Sequence, residues 1–171
     1  GDIKLLDLQL PRKFVDKFPG PRFGVSGIRE LLGVSKRPLL NTMIKPSTGI
    51  TPNQGAEILF QAALGGADIV KDDEVMGDTE LSPLLKRLEL YMKQLRKAEK
   101  ETGEKKLYAV NVTDEPAECI KKAEVAINNG VNAIMVNFLP AGMGLIASLA
   151  RNPKINVPIL AHHDFGEALK S

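Results

Sequence analysis

The sequence is poor in several residues on which particular classes of protein depend. It contains no tryptophan and a single cysteine, Cys119, which excludes an internal disulfide framework and a cysteine-rich metal site. Cys119 falls in a helical pattern, and we expect it to be buried. No apolar run approaches the ~20 residues of a membrane span, and no signal peptide is visible. These absences favour a cytoplasmic protein.

The sequence also has no large excess of charge of either sign. The net charge is +2, from 23 basic and 21 acidic residues, which gives no electrostatic reason to expect nucleic acid or a membrane as a partner. The 171 residues are enough for one domain with a substantial core. We interpret residues 1–36, with several prolines and glycines, as a linker that holds one short helix near residues 26–32.

What the chain does contain, from Arg37 to its end at residue 171, is a regular alternation of apolar runs and amphipathic segments. Five runs are typical of strands: residues 37–47, 67–74, 105–114, 131–140 and 156–165. Four helical patterns separate them: residues 50–66, 82–103, 115–130 and 142–153. The first of these begins with Thr51 as N-cap and Pro52 at the first helical position.

Strict alternation of strands and helices predicts a parallel sheet of the α/β class, either an open doubly wound sheet or a (β/α)₈ TIM barrel. No G-x-G-x-x-G turn is present to support the open sheet. A barrel collects polar residues at the carboxyl ends of its strands. Every predicted strand ends in such residues: Lys45; Lys71, Asp73 and Glu74; Asn111 and Thr113; Asn137; His162, His163 and Asp164.

The barrel interpretation implies that part of the barrel is missing. A complete barrel takes about 250 residues and eight strands, and five parallel strands cannot close. We therefore expect residues 37–171 to form a partial TIM barrel, a fragment unless it completes itself by dimerising or by swapping segments with another copy. Unpaired sheet edges make association into a homo-oligomer the expectation.

The second strand ends in the unusual run "IVKDDE", residues 69–74. Strand alternation places Lys71 and Asp73 on one face and Asp72 on the other. Carboxylates as close as Asp73 and Glu74 suit Mg²⁺. The alternative is an ion network in which Lys71 neutralises both acids. Lys45 has two possible roles, a base with a lowered pKa or a salt-bridge partner of Asp73 or Glu74.

The remaining polar residues leave alternatives open. His162 and His163 should point to opposite faces of the last strand, with one of them facing the barrel mouth. Asn111 and Asn137 could hydrogen-bond a ligand or satisfy backbone groups at the strand ends.

Four blocks, in this order, together carry a specific resemblance: "TMIKPSTGITP", "GGADIVKDDE", "LYAVNVT" and "PILAHHDF". They resemble successive strands of the large subunit of ribulose bisphosphate carboxylase (RuBisCO) and of the RuBisCO-like proteins. Residues 7–33 resemble the linker into that family's barrel, so the resemblance covers almost the whole chain.

The resemblance implies a role for each matching residue. Lys71 matches the lysine that CO₂ converts into a carbamate, so that Lys71, Asp73 and Glu74 would hold one Mg²⁺. Lys45 matches a lysine beside the enolising carbon of the substrate, and His162 matches an active-site histidine. The implied chemistry is Mg²⁺-dependent enolisation or isomerisation of a phosphorylated keto-sugar.

Two positions depart from the carbon-fixing members of that family. Ser47 stands where they have a second lysine, and His163 stands where they have an arginine that handles substrate. These departures favour a RuBisCO-like enolase. The alternatives are a genuine carboxylase and a non-catalytic, self-associating half-barrel. We expect the 171 residues alone to bind Mg²⁺ weakly and to be inactive or nearly so.

Overall fold

Five parallel strands pair in sequence order into one sheet that curls into a half-barrel. The computed structural model describes residues 3, 5–18, 20–164 and 166. The strands are β1 (Asn41–Met43), β2 (Ile69–Lys71), β3 (Leu107–Asn111), β4 (Ala133–Asn137) and β5 (Ile159–His162). The prediction of a partial α/β barrel is confirmed.

Helices connect each strand to the next, as predicted, and two further helices precede β1. In chain order they are α1 (Arg12–Val15), α2 (Gly24–Leu32), α3 (Pro52–Leu64), α4 (Leu84–Thr102), α5 (Pro116–Asn128), α6 (Phe138–Ala141) and α7 (Met143–Arg151). The connection from β4 to β5 differs from the prediction because it holds two helices, divided at Gly142, whose φ of 90° is closed to most other residues. Of the helices in the described ranges, none has both the length and the apolar character needed to cross a membrane.

The helix starts show how the sequence determines these elements. Thr51 and Gln54 form a capping box at α3, in which Thr51 Oγ1 accepts a hydrogen bond from the Gln54 amide and Gln54 Oε1 accepts one from the Thr51 amide. Helix α4 begins at Leu84, directly after the Ser-Pro pair. There the carboxylate of Asp78 accepts the Leu84 N–H at 2.7 Å.

The two faces of the sheet carry separate cores. On the outer face, Val70, Tyr108 and Val136 pack with the buried side chains of α3, α4 and α5. This layer includes Cys119, which is fully buried as expected. On the inner face, Leu32 of α2 packs against the small cluster of Leu107, Ala109, Ala133 and Met135.

The division into a linker (residues 1–36) and a barrel domain (residues 37–171) stays a prediction. Residues 1, 2, 4 and 19 of that linker lie outside the described residues, as do residues 165 and 167–171 of the barrel domain.

Candidate active site at the carboxyl ends of the strands

The polar residues predicted at the strand ends do come together. In the parallel register, Met43, Lys71 and Ala109 are neighbours across three strands, and Asn137 is paired with His162 across β4 and β5. The carboxyl ends of all five strands therefore meet at one edge of the sheet.

Lys71 is a buried amine that pairs with no carboxylate in the described ranges of the chain. Its side chain lies on the inner face, and the residue is 7% exposed. Its Nζ lies 3.4 Å from the sulfur of Met43, 3.9 Å from the sulfur of Met135 and 3.4 Å from the carbonyl of Asp72. Among the described residues it forms no ion pair, and Asp73 pairs with Lys45 instead. The alternative in which Lys71 neutralises both Asp73 and Glu74 is therefore not what the structure shows. Burial lowers the pKa of Lys71, although the charges of Glu74 and Asp73 act in the opposite direction.

Asp73 pairs instead with Lys45, one of the two roles that sequence left open for Lys45. The ammonium of Lys45 forms a hydrogen-bonded ion pair with Asp73 Oδ2, while the Val75 N–H donates to Asp73 Oδ1 at 3.0 Å. Burial would raise the pKa of Asp73, but these two hydrogen bonds and the positive charges of Lys45 and Lys71 together lower it. The same hydrogen bond raises the pKa of Lys45, which is therefore an ammonium while the pair holds.

Glu74 carries an unused acceptor. Its Oε2 is buried and has no hydrogen-bond partner among the described residues, and His162 Nε2 lies 3.9 Å away. Within those residues, no three histidine, cysteine or acidic side chains cluster closely enough to hold a metal ion. The carboxylates of Asp73 and Glu74 suit Mg²⁺, but a third anionic oxygen would have to come from another group. A carbamate on Lys71 would meet that requirement.

The two asparagines hold the backbone of the acidic residues. Asn111 Nδ2 donates to the carbonyls of Asp73 (3.3 Å) and Glu74 (3.0 Å), and Asn137 Nδ2 donates to that of Glu74 (2.8 Å). The Oδ1 of Asn111 is used as well, since it accepts from Thr113. The Oδ1 of Asn137 is buried and has no partner among the described residues, so only Asn137 keeps a free acceptor for a ligand.

The two histidines lie side by side at the end of β5. Their rings are nearly parallel, 16° apart in plane with centroids 5.7 Å apart. The strand ends at His162, so its alternation does not carry over to His163, which is exposed. Asp164 hydrogen-bonds His162 Nδ1, which leaves Nε2 directed toward Glu74.

Sequence reasoning missed the buried charges behind the site. Asp72 points to the outer face, as predicted, and its fully buried carboxylate accepts from the Tyr108 hydroxyl at 2.7 Å and lies 3.4 Å from Arg87. Burial raises the pKa of Asp72, although the charge of Arg87 opposes this rise. The signal was available: Arg87 falls three residues after Leu84 and four before Tyr91, within the apolar stripe of α4.

The fold and its polar strand ends define the chain as part of an α/β-barrel protein with a candidate metal site. Residues 24–170 match the family model of the ribulose bisphosphate carboxylase large chain, catalytic domain. The chain belongs to that family, as its resemblance predicted.

Among the curated relatives is a ribulose bisphosphate carboxylase-like protein of Archaeoglobus fulgidus, 45% identical over 166 residues, which cover 97% of this chain and 38% of the relative. A 2,3-diketo-5-methylthiopentyl-1-phosphate enolase of Geobacillus thermodenitrificans is 40% identical over 169 residues, 99% of this chain and 41% of the relative. The chain thus spans about two fifths of the length of these relatives.

A solved rubisco-like protein from Alicyclobacillus acidocaldarius superposes with a TM-score of 0.87 at 36% identity, over 95% of this chain and 41% of that one. A dimeric archaeal Rubisco from Hyperthermus butylicus superposes with a TM-score of 0.85 at 37% identity, over 92% of this chain and 37% of that one.

Proposed function

We propose that these residues form the metal-binding half of an active site that enolises a phosphorylated ketone. In this proposal Lys71, as its carbamate, holds one Mg²⁺ together with Asp73 and Glu74. The observation that carries it is the state of Lys71: a buried amine beside two carboxylates, with a lowered pKa and no ion pair among the described residues.

That state suits carbamylation. Only a neutral amine attacks CO₂; an N–C bond forms and the nitrogen loses a proton, so that a former cation becomes an anionic oxygen donor. A lowered pKa increases the neutral fraction of Lys71. The change also removes a positive charge from a site that needs to attract a metal ion.

The other residues have distinct proposed tasks. When bound, Mg²⁺ polarises a ketone oxygen and stabilises the negative charge that develops on it. Lys45, with a side chain 56% exposed at the mouth, is placed to exchange a proton through its Nζ with the carbon next to that ketone. Asp164 orients His162 for the same site. The proposed substrate contacts are Asn137, whose Oδ1 has no hydrogen-bond partner in the described ranges, and the exposed His163.

The two departures and the relatives support the proposed substrate class. Ser47 and His163 replace residues that handle substrate in carboxylases, and two enolases of 2,3-diketo-5-methylthiopentyl-1-phosphate are among the relatives. A phosphorylated diketone or keto-sugar is therefore the proposed substrate. CO₂ fixation is the second candidate, because a ribulose bisphosphate carboxylase of Methanosarcina mazei is 40% identical over 149 residues.

The first experiment is a Mg²⁺ titration by calorimetry with and without bicarbonate, together with ¹³C NMR in ¹³C-bicarbonate. We expect bicarbonate to strengthen Mg²⁺ binding and a carbamate signal to appear, and Lys71→Met to abolish both. Lys106→Met is the matched control, since Lys106 is a buried lysine whose amine pairs with Glu104 at 2.6 Å. A carbamate signal that survives in Lys71→Met, or binding indifferent to bicarbonate, would contradict the proposal.

The substrate is tested in a chimaera in which residues 5–164 replace the matching segment of the Geobacillus enolase. We expect solvent deuterium to exchange into 2,3-diketo-5-methylthiopentyl-1-phosphate, and Lys71→Met to stop the exchange. Incorporation of labelled CO₂ into ribulose bisphosphate would favour the carboxylase instead. A folded, Mg²⁺-binding chimaera that does neither would rule out both substrates.

A further inference from the structure

We propose that Asn111 is a positioning residue that holds the backbone of Asp73 and Glu74 in the arrangement needed to bind a metal ion. The part of this proposal that concerns Mg²⁺ rests on the proposed function. Residues 72–74 are called the acidic turn below.

Asn111 contacts every residue of the acidic turn. Its backbone N–H donates to the carboxylate of Asp72 at 3.1 Å, and its side-chain amide donates to the carbonyls of Asp73 and Glu74 at 3.3 and 3.0 Å. The residue is 7% exposed, so water cannot readily replace these bonds. One residue of β3 thus holds three consecutive residues that follow β2.

The orientation of the Asn111 amide is itself determined by neighbours. Thr113 donates to Asn111 Oδ1 from its hydroxyl (2.6 Å) and from its N–H (3.0 Å), so the NH₂ group must face the acidic turn. The Thr113 hydroxyl accepts in turn from the Asn137 N–H at 2.9 Å. With the bond from Asn137 to Glu74, the hydrogen bonds form a closed ring over the ends of β2, β3 and β4.

This ring has a consequence for the metal ligands. The direction of a side chain follows from its backbone, and within the part of the chain that the structure describes, the buried Glu74 Oε2 has no hydrogen-bond partner to hold it. Among the described residues, the Glu74 carbonyl is held by the two asparagine amides. Loss of partners that orient metal ligands typically costs roughly 10–100-fold in metal affinity.

The chain offers a matched control in Asn132. Its side chain also bridges backbone groups, since its Oδ1 accepts from the Tyr108 N–H at 2.9 Å and its Nδ2 donates to the Lys106 carbonyl at 2.8 Å. These bonds lie at the opposite end of β3 from the acidic turn. Asn132→Ala should therefore reduce stability much as Asn111→Ala does without affecting the metal ligands.

The test compares Asn111→Ala and Asn132→Ala in two measurements: Mg²⁺ affinity in bicarbonate, and amide hydrogen exchange in Mg²⁺-free buffer. Exchange is read at Val75 and Met76, whose N–H groups bond to Asp73. We expect Asn111→Ala to weaken Mg²⁺ binding roughly 10–100-fold and to speed exchange at both positions. Asn132→Ala should change neither, and Thr113→Ser should retain the affinity that Thr113→Val loses.

Two results would overturn the proposal. One is an Asn111→Ala variant with affinity and exchange within about twofold of the wild type, the margin of a negligible free-energy change. The other is an equal effect of Asn132→Ala, which would indicate general loosening. If the wild type binds no Mg²⁺, the proposed function and the metal part of this proposal both fail. Hydrogen exchange then decides alone whether Asn111 holds the acidic turn.

Discussion

Lys71 is a residue at which stability and the proposed chemistry conflict. Burial lowers its pKa below the ordinary value of 10.5. Between the folded and the unfolded pKa the unfolded chain binds more protons, so stability rises with pH through that window. Below the window the folded protein carries the cost of a buried ammonium. We expect Lys71→Met, which continues the apolar contacts of Met43 and Met135, to stabilise the protein by roughly 1 kcal/mol near pH 7.

Urea unfolding at several pH values checks this expectation. The gain from Lys71→Met should shrink as the pH rises toward the ordinary pKa of lysine, because both states are then neutral at residue 71. Lys106→Met should lose stability, since it leaves Glu104 without the amine at 2.6 Å. A Lys71→Met variant less stable than the wild type at every pH would mean that the ammonium is well accommodated.

The residues of the site were predictable because parallel strands bring their carboxyl ends together. The alternation of faces placed Lys71 and Asp73 apart from Asp72, and the structure confirms this. Hydrogen-bond partners were not predictable in the same way. The orientation of Asn111 depends on three strands at once, and whether Lys45 or Lys71 pairs with Asp73 depends on differences in reach that no pattern encodes.

Helices α3 and α4 approach each other closely at Gly55. A Cβ added at Gly55 would lie 1.7 Å from the hydroxyl of Tyr91, a buried side chain of α4. We expect Gly55→Ala to destabilise the protein by roughly 1–3 kcal/mol, because one helix or the tyrosine must move. Gly144→Ala on α7 is the control, since a Cβ there meets nothing within 4 Å. Thermal unfolding that ranks the two variants equally would contradict this packing.

Helix α4 is also tied to the sheet by a buried ion pair. Arg87 reaches Asp72 at 3.4 Å and donates to the carbonyls of Gly77 and Ser82, so it links the end of β2 and the following loop to its own helix. We expect Arg87→Met to cost about 3–5 kcal/mol, the cost of leaving a buried charge unpaired.

The pH dependence of the stability of Arg87→Met distinguishes the cost of an unpaired Asp72 charge from the cost of lost packing. Burial already raises the pKa of Asp72 above 3.8, and removal of Arg87 takes away the opposing charge. A carboxyl whose pKa is raised by folding stabilises the protein at low pH and loses that contribution as pH rises. The deficit of Arg87→Met should therefore shrink as the pH falls toward the ordinary Asp value of 3.8, and adding Asp72→Asn should recover part of it. A deficit that is constant with pH would indicate packing alone.

The order and type of the main elements were predictable, and several of their boundaries were not. Alternating strands and helices follow from the periodicity of apolar residues, and the Thr51 cap of α3 follows from local chemistry. The start of α4 depends on Asp78, six residues away from the N–H that it accepts. The division of the last connection was not predicted, because residues 138–140 were assigned to the strand run 131–140 although they belong to α6.

The half-barrel has open strand edges and an exposed apolar cavity. Within the described part of the chain, β1 and β5 each pair with a strand on one side only, which leaves backbone groups open at both edges. Beside β5 lies an apolar cavity of about 680 Å³, whose lining includes Phe23, Val25, Ile28, Ile146 and Ile159. Val25 is 77% exposed at this cavity. Solved relatives include proteins described as dimeric and octameric.

We therefore expect the 171-residue chain to self-associate through the cavity beside β5. Association is favourable because it buries apolar surface and pairs the open backbone groups of the strand edge. Sedimentation velocity over a range of concentrations should show a mass that rises with concentration. Val25→Lys should shift this association to higher concentration by about tenfold, which corresponds to about 1.4 kcal/mol of lost burial. Leu85→Lys replaces a side chain that is 60% exposed on α4, away from the cavity, and should leave the association unchanged. A monomer at every concentration would contradict the expectation, and equal shifts in the two variants would place the contact elsewhere.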